Sequence, residues 1–205
     1  MESLDFRKEY HAFLKPKQGQ VEFVIVPAMH FLMLDGHGDP NTSLDYQASF
    51  AALYGIAYNL KFRFKKERGI DYNLLAIECL WWVQNMELFS AERKDDWCWT
   101  MMLFQPDFIS IADVREAVTD IAMKKHVPGL EKVRYEVYKE GLSAQTMHLG
   151  SYSEEKPAID LLHQSIAEHG YVKRGKHHEI YLGDPRKSAP EKLKTIIRQP
   201  VEKDK

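Results

Sequence analysis

Two stretches of this 205-residue chain follow one plan, and a chain that carries the same plan twice has few folds open to it. Residues 21–106 and 132–201 each read as strand, strand, helix, strand, strand. In the first copy, Val21 to Val26 and His30 to Leu34 read as two strands joined by a short turn at Pro27-Ala28-Met29. A turn at Asp35-Gly36-His37-Gly38 then leads to a helix from Leu44 to about Arg68, with Tyr46, Phe50, Leu53, Ala57, Leu60 and Phe64 at helical spacing and Gly69 placed to end it. Tyr72 to Val83 and Trp97 to Pro106 complete the copy as strands. The second copy runs Val133 to Tyr138, a turn at Lys139-Glu140-Gly141, Ala144 to Gly150, a helix with Ile159, Leu162 and Ile166 inward, and strands from His177 and Lys194. The turn glycines Gly36 and Gly150 correspond, Glu78 falls roughly where Glu179 does, and both copies close on Gln-Pro, at Gln105-Pro106 and Gln199-Pro200. A helix over 110–126, capped by Ser110, joins them. The expected fold is α+β: one pseudo-symmetric antiparallel sheet with helices packed over it, forming a single domain over 21–201 with a central cleft where the copies meet. Residues 1–20 read as a solvated lead-in and 202–205 as a frayed tail.

Composition excludes several classes of function. A hydrophobic content of 44%, with 12% aromatic residues, is ample for a core. A net charge of -2 leaves no surplus of cations to neutralise phosphates, so no direct nucleic-acid partner is expected. No apolar run approaches the ~20 residues that span a bilayer, and the N-terminal residues lack the order of a secretory signal, which points to a cytoplasmic protein with no membrane partner. Cys79 and Cys98 fit a reducing compartment as small apolar fillers. Gly36 and Gly38 before a helix lack the third glycine or the lysine of a phosphate cradle, and no cofactor is expected.

Two segments carry chemistry. His177-His178-Glu179-Ile180-Tyr181-Leu182-Gly183-Asp184-Pro185 reads as a short strand stopped by a turn, with a carboxylate among apolar neighbours. Charged groups are seldom buried unless paired or used; the plainer alternative is an edge strand with Glu179 in water. In a strand His177 and Glu179 share a face while His178 points away, a poor set for a metal, and none is expected. The other segment is rich in indoles. Glu78, Leu80 and Trp82 share one face of their strand, Ile77, Cys79 and Trp81 the other, and Trp97, Trp99 and Met101 again share a face. If these strands pair, four tryptophans gather, either as packing or as the wall of an aromatic cavity.

His148-Leu149-Gly150-Ser151-Tyr152-Ser153 before a helix, followed by Glu179 to Pro185, resembles the signature of the GyrI-like small-molecule-binding domains, relatives of the effector-binding domains of bacterial multidrug-responsive transcription activators. Trp81-Trp82 and Trp97-Cys98-Trp99-Thr100 are similar to a stand-alone subset, and the resemblance covers roughly residues 20 to 201. No helix-turn-helix pattern precedes it, so a regulator is not expected. The resemblance implies a duplicated β-rich fold whose central cleft takes flat, hydrophobic, often cationic ligands. It also implies a second-half glutamate reaching into the cleft; Glu179 is the residue that matches. In some stand-alone members the cleft is similar to a hydrolase site for cyclopropane-bearing, DNA-alkylating natural products. On that reading Glu179 is the base and Tyr181 or Tyr138 the donor to the developing charge. Trp82, Trp97 and Trp99 line the ligand together with Glu78, His148 and Tyr152. The alternative is a binding module that sequesters hydrophobic or cationic compounds, with Glu179 pairing a ligand cation. Docking on a DNA gyrase, suggested by the family's name, has no specific support in the sequence.

Overall fold

The computed structural model describes residues 2–89 and 93–204. Its strands are β1 (Glu2–Leu4), β2 (Glu22–His37), β3 (Ile70–Tyr72), β4 (Ile77–Trp82), β5 (Cys98–Gln105), β6 (Arg134–Leu149), β7 (Tyr171–Lys173), β8 (His177–Tyr181) and β9 (Lys194–Lys203). Its helices are α1 (Phe6–Glu9), α2 (His11–Leu14), α3 (Leu44–Arg68), α4 (Ile111–Lys124) and α5 (Lys156–Glu168). The fold is α+β, and each half runs long strand, helix, then three strands: β2, α3, β3, β4, β5 in the first and β6, α5, β7, β8, β9 in the second. Seven strands hydrogen-bond in the order β6-β2-β5-β4-β8-β9-β7, with β6 also pairing β9.

The two-strand openings of both copies are in fact single strands of 16 residues. A proline's φ of about −65° is compatible with extended chain, so Pro27 makes no turn. At the second position the turn signal is real but small: Gly141 adopts φ 75°, a left-handed residue of the kind that makes a bulge while the strand continues on either side. The segment expected as one strand from Tyr72 is divided, β3 ending at Tyr72 and β4 starting at Ile77, and Trp97 precedes β5 rather than belonging to it. The lead-in is partly packed, since Phe6 and Phe13 are buried. At the other end β9 continues through Lys203, into the expected tail.

The chain forms two compact units. One comprises the N-terminal residues through Arg7, Met29–Leu75 and Trp81–Tyr138; the other comprises Lys8–Ala28, Ala76–Leu80 and the residues from Lys139 onward. In the first, β2 and β5 pair antiparallel from His30↔Gln105 to His37↔Cys98. There α3 starts where Ser43 Oγ accepts the Tyr46 N–H at 3.2 Å and ends at Gly69, while α4 starts on a reciprocal capping box between Ser110 and Asp113. Ala52, Leu53, Ile56, Ala57, Leu60 and Phe64 of α3 are wholly buried. In the second unit, β9 is flanked by β6 and β8, and Leu162 and Ile166 of α5 pack on Ala144, Ile197 and Val201. A separate small cluster, Met147, Ile180 and Ile196 with Leu14 and Ala76, fills around the alternate residues of the same strands. The alternation of β9 thus sends Ile197 toward α5 and Ile196 the other way.

Candidate functional site

Strand β8 presents chemistry on both sides. Its register on β9 is His178↔Arg198, Glu179↔Ile197, Ile180↔Ile196 and Tyr181↔Thr195, so His177, Glu179 and Tyr181 lie on the face that Ile197 shares with α5. Glu179 is held from both neighbours on that face. His177 Nε2 is 3.1 Å from Glu179 Oε1, and the Tyr181 hydroxyl donates to Glu179 Oε2 at 2.7 Å. The His177 contact is a donated hydrogen bond when Nε2 carries the ring proton. The Glu179 side chain is 13% exposed, against 4% for His177, so the carboxylate is neither in open water nor sealed away.

The loop before α5 completes this face. Tyr152 meets the Tyr181 ring edge-to-face at 5.4 Å and is 40% exposed. Burial of part of its ring, together with the charges of Glu155, Glu179 and Asp184, pushes the Tyr152 phenol up to about 12, so it keeps its proton at neutral pH. The loop is shaped by Ser151, whose hydroxyl donates to Glu154 Oε2 at 2.8 Å. His148 Nε2 lies 2.9 Å from Ser151 O, a bond that ties β6 to the loop when that nitrogen carries the proton. His148, Thr195 and Tyr181 form one row across β6, β9 and β8. Of the residues marked in the sequence, the structure therefore brings together Glu179, Tyr181, Tyr152 and His148.

Glu78 belongs to a different arrangement. His178, on the opposite side of β8, is buried between two carboxylates, with Nε2 3.0 Å from Glu78 Oε2 and Nδ1 2.8 Å from Glu140 Oε1. Arg198 pairs with the second oxygen of Glu140 at 3.0 Å, donates to Gln145 Oε1 at 2.9 Å and to Phe13 O at 2.6 Å. Burial opposes charge on both His178 and Glu140, but the mutual attraction outweighs it. His178 is lifted to about 9 by Glu140 and Glu78, and Glu140 is brought down to about 2 by His178 and Arg198. Two carboxyl groups face an imidazole and a guanidinium, so the formal charges cancel when all four are ionised. Glu78 is thereby engaged by His178. No local pattern marks Glu140 or Arg198, because their meeting depends on strand pairing and on the left-handed Gly141 that follows Glu140.

In the other unit the tryptophans gather around Tyr46 of α3. Its ring lies 5.6 Å from Trp81 and 5.2 Å, edge-on, from Trp99. Trp81 meets Trp97 at 5.3 Å, and Trp97 stacks on Phe89 at 4.8 Å. Trp99 is fully buried, whereas Trp82 and Trp97 are half-buried. The gathering of Trp81, Trp97 and Trp99 follows the expectation from the strands, whereas Tyr46, a core position by helical spacing, and Phe89, in a connection, carry no sequence sign of joining them. Tyr138 is half-buried near the edge of Phe31, at 6.5 Å. Among the described residues no three His, Cys, Asp or Glu side chains are grouped to hold a metal ion, and no helix is long and apolar enough to cross a membrane.

The model of the GyrI-like small molecule binding domain matches residues 19–202. A solved uncharacterized conserved protein from Listeria innocua is 37% identical, with a TM-score of 0.90 over 97% of this chain and 100% of that one. A protein solved as a hydrolase from Listeria innocua is also 37% identical, with a TM-score of 0.87 over 98% of this chain and 100% of that one. The C-terminal domain of EcmrR shares the fold at 16% identity, with a TM-score of 0.56 over 90% of this chain and 98% of that domain. No curated protein matches the chain.

Proposed function

Because the chain belongs to the family of GyrI-like small molecule binding domains, we propose that it binds a flat, hydrophobic compound and adds water to it, opening the activated cyclopropane of a DNA-alkylating natural product as a detoxifying step. The observation that carries this reading is Glu179, a slightly exposed carboxylate held between His177 and the donating Tyr181 hydroxyl, with the exposed phenol of Tyr152 against the Tyr181 ring. The likeness to a Listeria innocua hydrolase, at 37% identity over nearly the whole of both chains, supports an enzymatic role.

The chemistry needs few groups. In a cyclopropane conjugated to a dienone, water attacks a ring carbon, a C–O bond forms, and the strained C–C bond breaks. The electron pair moves to the carbonyl oxygen, which becomes a phenol. Glu179 takes the proton from the attacking water, a donor hydrogen-bonds the developing phenolate, and solvent supplies the proton that completes the phenol. Tyr181 was one expected donor, but its hydroxyl proton is engaged by Glu179. Tyr152, protonated and open to solvent, suits that role better.

Incubation with a cyclopropane-bearing alkylator, followed by mass analysis, tests the reading. The expected product is heavier by one water, and Glu179→Gln is expected to lower turnover by about 100-fold or more, the usual worth of a positioned base. Tight binding by the wild type with no change of mass would overturn the enzymatic reading and leave a sequestering module in which Glu179 anchors a cation. Full turnover in Glu179→Gln would remove Glu179 as the base.

A further inference from the structure

The sequence marks His177 only as a poor metal ligand, yet its Nε2 lies 3.1 Å from one of the two oxygens of Glu179. The strand itself sets this up, since residues two apart on β8 point the same way and stand side by side. Tyr181 does the same from the other side.

We propose that His177 is a positioning residue for Glu179: with Tyr181 it forms a clamp, one contact to each oxygen, that fixes the carboxylate in one rotamer and keeps it ionised. This rests on the reading of Glu179 as the water-activating group. The clamp requires a proton on His177 Nε2, and the carboxylate selects that form because the other neutral tautomer would set a lone pair against an anion. His163 of α5 feels the charge of His177 together with those of Lys173 and Asp160, and Tyr152 in the loop before α5 feels the charge of Glu179 together with those of Glu155 and Asp184. Strand β9 contributes only Ile197 and Thr195 opposite Glu179 and Tyr181. His163 is driven down to about 4 by burial and by the charges of Lys173 and His177, so it stands neutral beside the clamp at neutral pH.

The test uses the full chain with carboxyl-labelled glutamate, the Glu179 signal being assigned by its loss in Glu179→Gln. In His177→Ala the titration midpoint of the Glu179 carboxyl carbon is expected to rise by about one pH unit, since a donor to the charged form is lost. His177→Gln, which keeps an amide N–H, is expected to recover much of that rise, and Tyr181→Phe to move the midpoint in the same direction. The acid limb of kcat/KM for the cyclopropane substrate should move with it while KM changes little. Unmoved midpoints in folded His177→Ala and Tyr181→Phe overturn the clamp; if His177→Ala does not fold, His177→Gln and Tyr181→Phe decide it. A wild type without turnover but with the shifted midpoints keeps the clamp and removes the enzyme, and turnover with unmoved midpoints does the reverse.

Discussion

A single methyl group tests how closely Trp99 is fitted. Gly36 lies in β2 directly across from Trp99, and a Cβ built on it would fall 2.0 Å from Cζ2 of the indole. Read from sequence, Gly36 marked a turn; in the structure it is a strand residue whose missing side chain makes room for a buried ring. Trp99 is held on its other side by Tyr46, and its Nε1 is buried with no acceptor among the described residues. The ring therefore contributes through packing, and it has little room to shift. Gly36→Ala is expected to destabilise the protein by about 1–3 kcal/mol, the usual cost of overpacking a core, as measured by urea unfolding. An unchanged midpoint would mean that the indole relocates freely. Gly141 carries the complementary lesson. The sequence marked a turn there, and the positive φ is present, but its effect is to reverse the alternation of one strand rather than to end it.

Strand β8 joins the two polar clusters. Its odd-numbered residues form the Glu179 clamp, and His178 between them is pinned by carboxylates from β4 and β6. Rotation or slippage of this short strand would break bonds on both sides at once. The buried cluster makes stability depend on pH in two opposite ways. His178 is raised from 6.5 to about 9, so its contribution is complete below pH 6.5 and is lost as pH rises through about 9. Glu140 is lowered from 4.5 to about 2, so its contribution is complete above pH 4.5 and is lost as pH falls through about 2. Unfolding free energy is therefore expected to be flat with respect to these groups between pH 4.5 and 6.5 and to decline on either side. In His178→Gln the decline above pH 6.5 should disappear, as read by denaturant titrations at several pH values. A slope as steep in the variant as in the wild type would show that another group causes it. Removing one partner of such a set leaves a buried charge uncompensated, which costs about 3–5 kcal/mol, so Arg198→Met should be far more damaging than loss of any exposed ion pair.

For the whole molecule, the boundary between the two compact units falls inside β2, β4 and β6. A strand cannot keep one end ordered and lose the other without breaking its own ladder, so the units are expected to unfold together. All four tryptophans belong to the unit that contains Trp81–Tyr138, so indole fluorescence reports on that unit, whereas amide exchange at β8 and β9 reports on the other. Coincident denaturant transitions by the two probes are expected, and separated midpoints would reveal independent units. The sequence by itself determined the helices and their ends, because helix caps and helical spacing are local: Ser43, Gly69 and Ser110 stand where their helices begin and end. It also marked Glu179, since a carboxylate in an apolar strand is a local anomaly. Only the tertiary structure decided what that carboxylate touches, that Glu78 is engaged by His178, and that Glu140 and Arg198 complete the buried set. Those contacts join residues as far apart in the chain as Glu78 and His178, and they follow from strand register and one left-handed glycine, which local patterns do not encode.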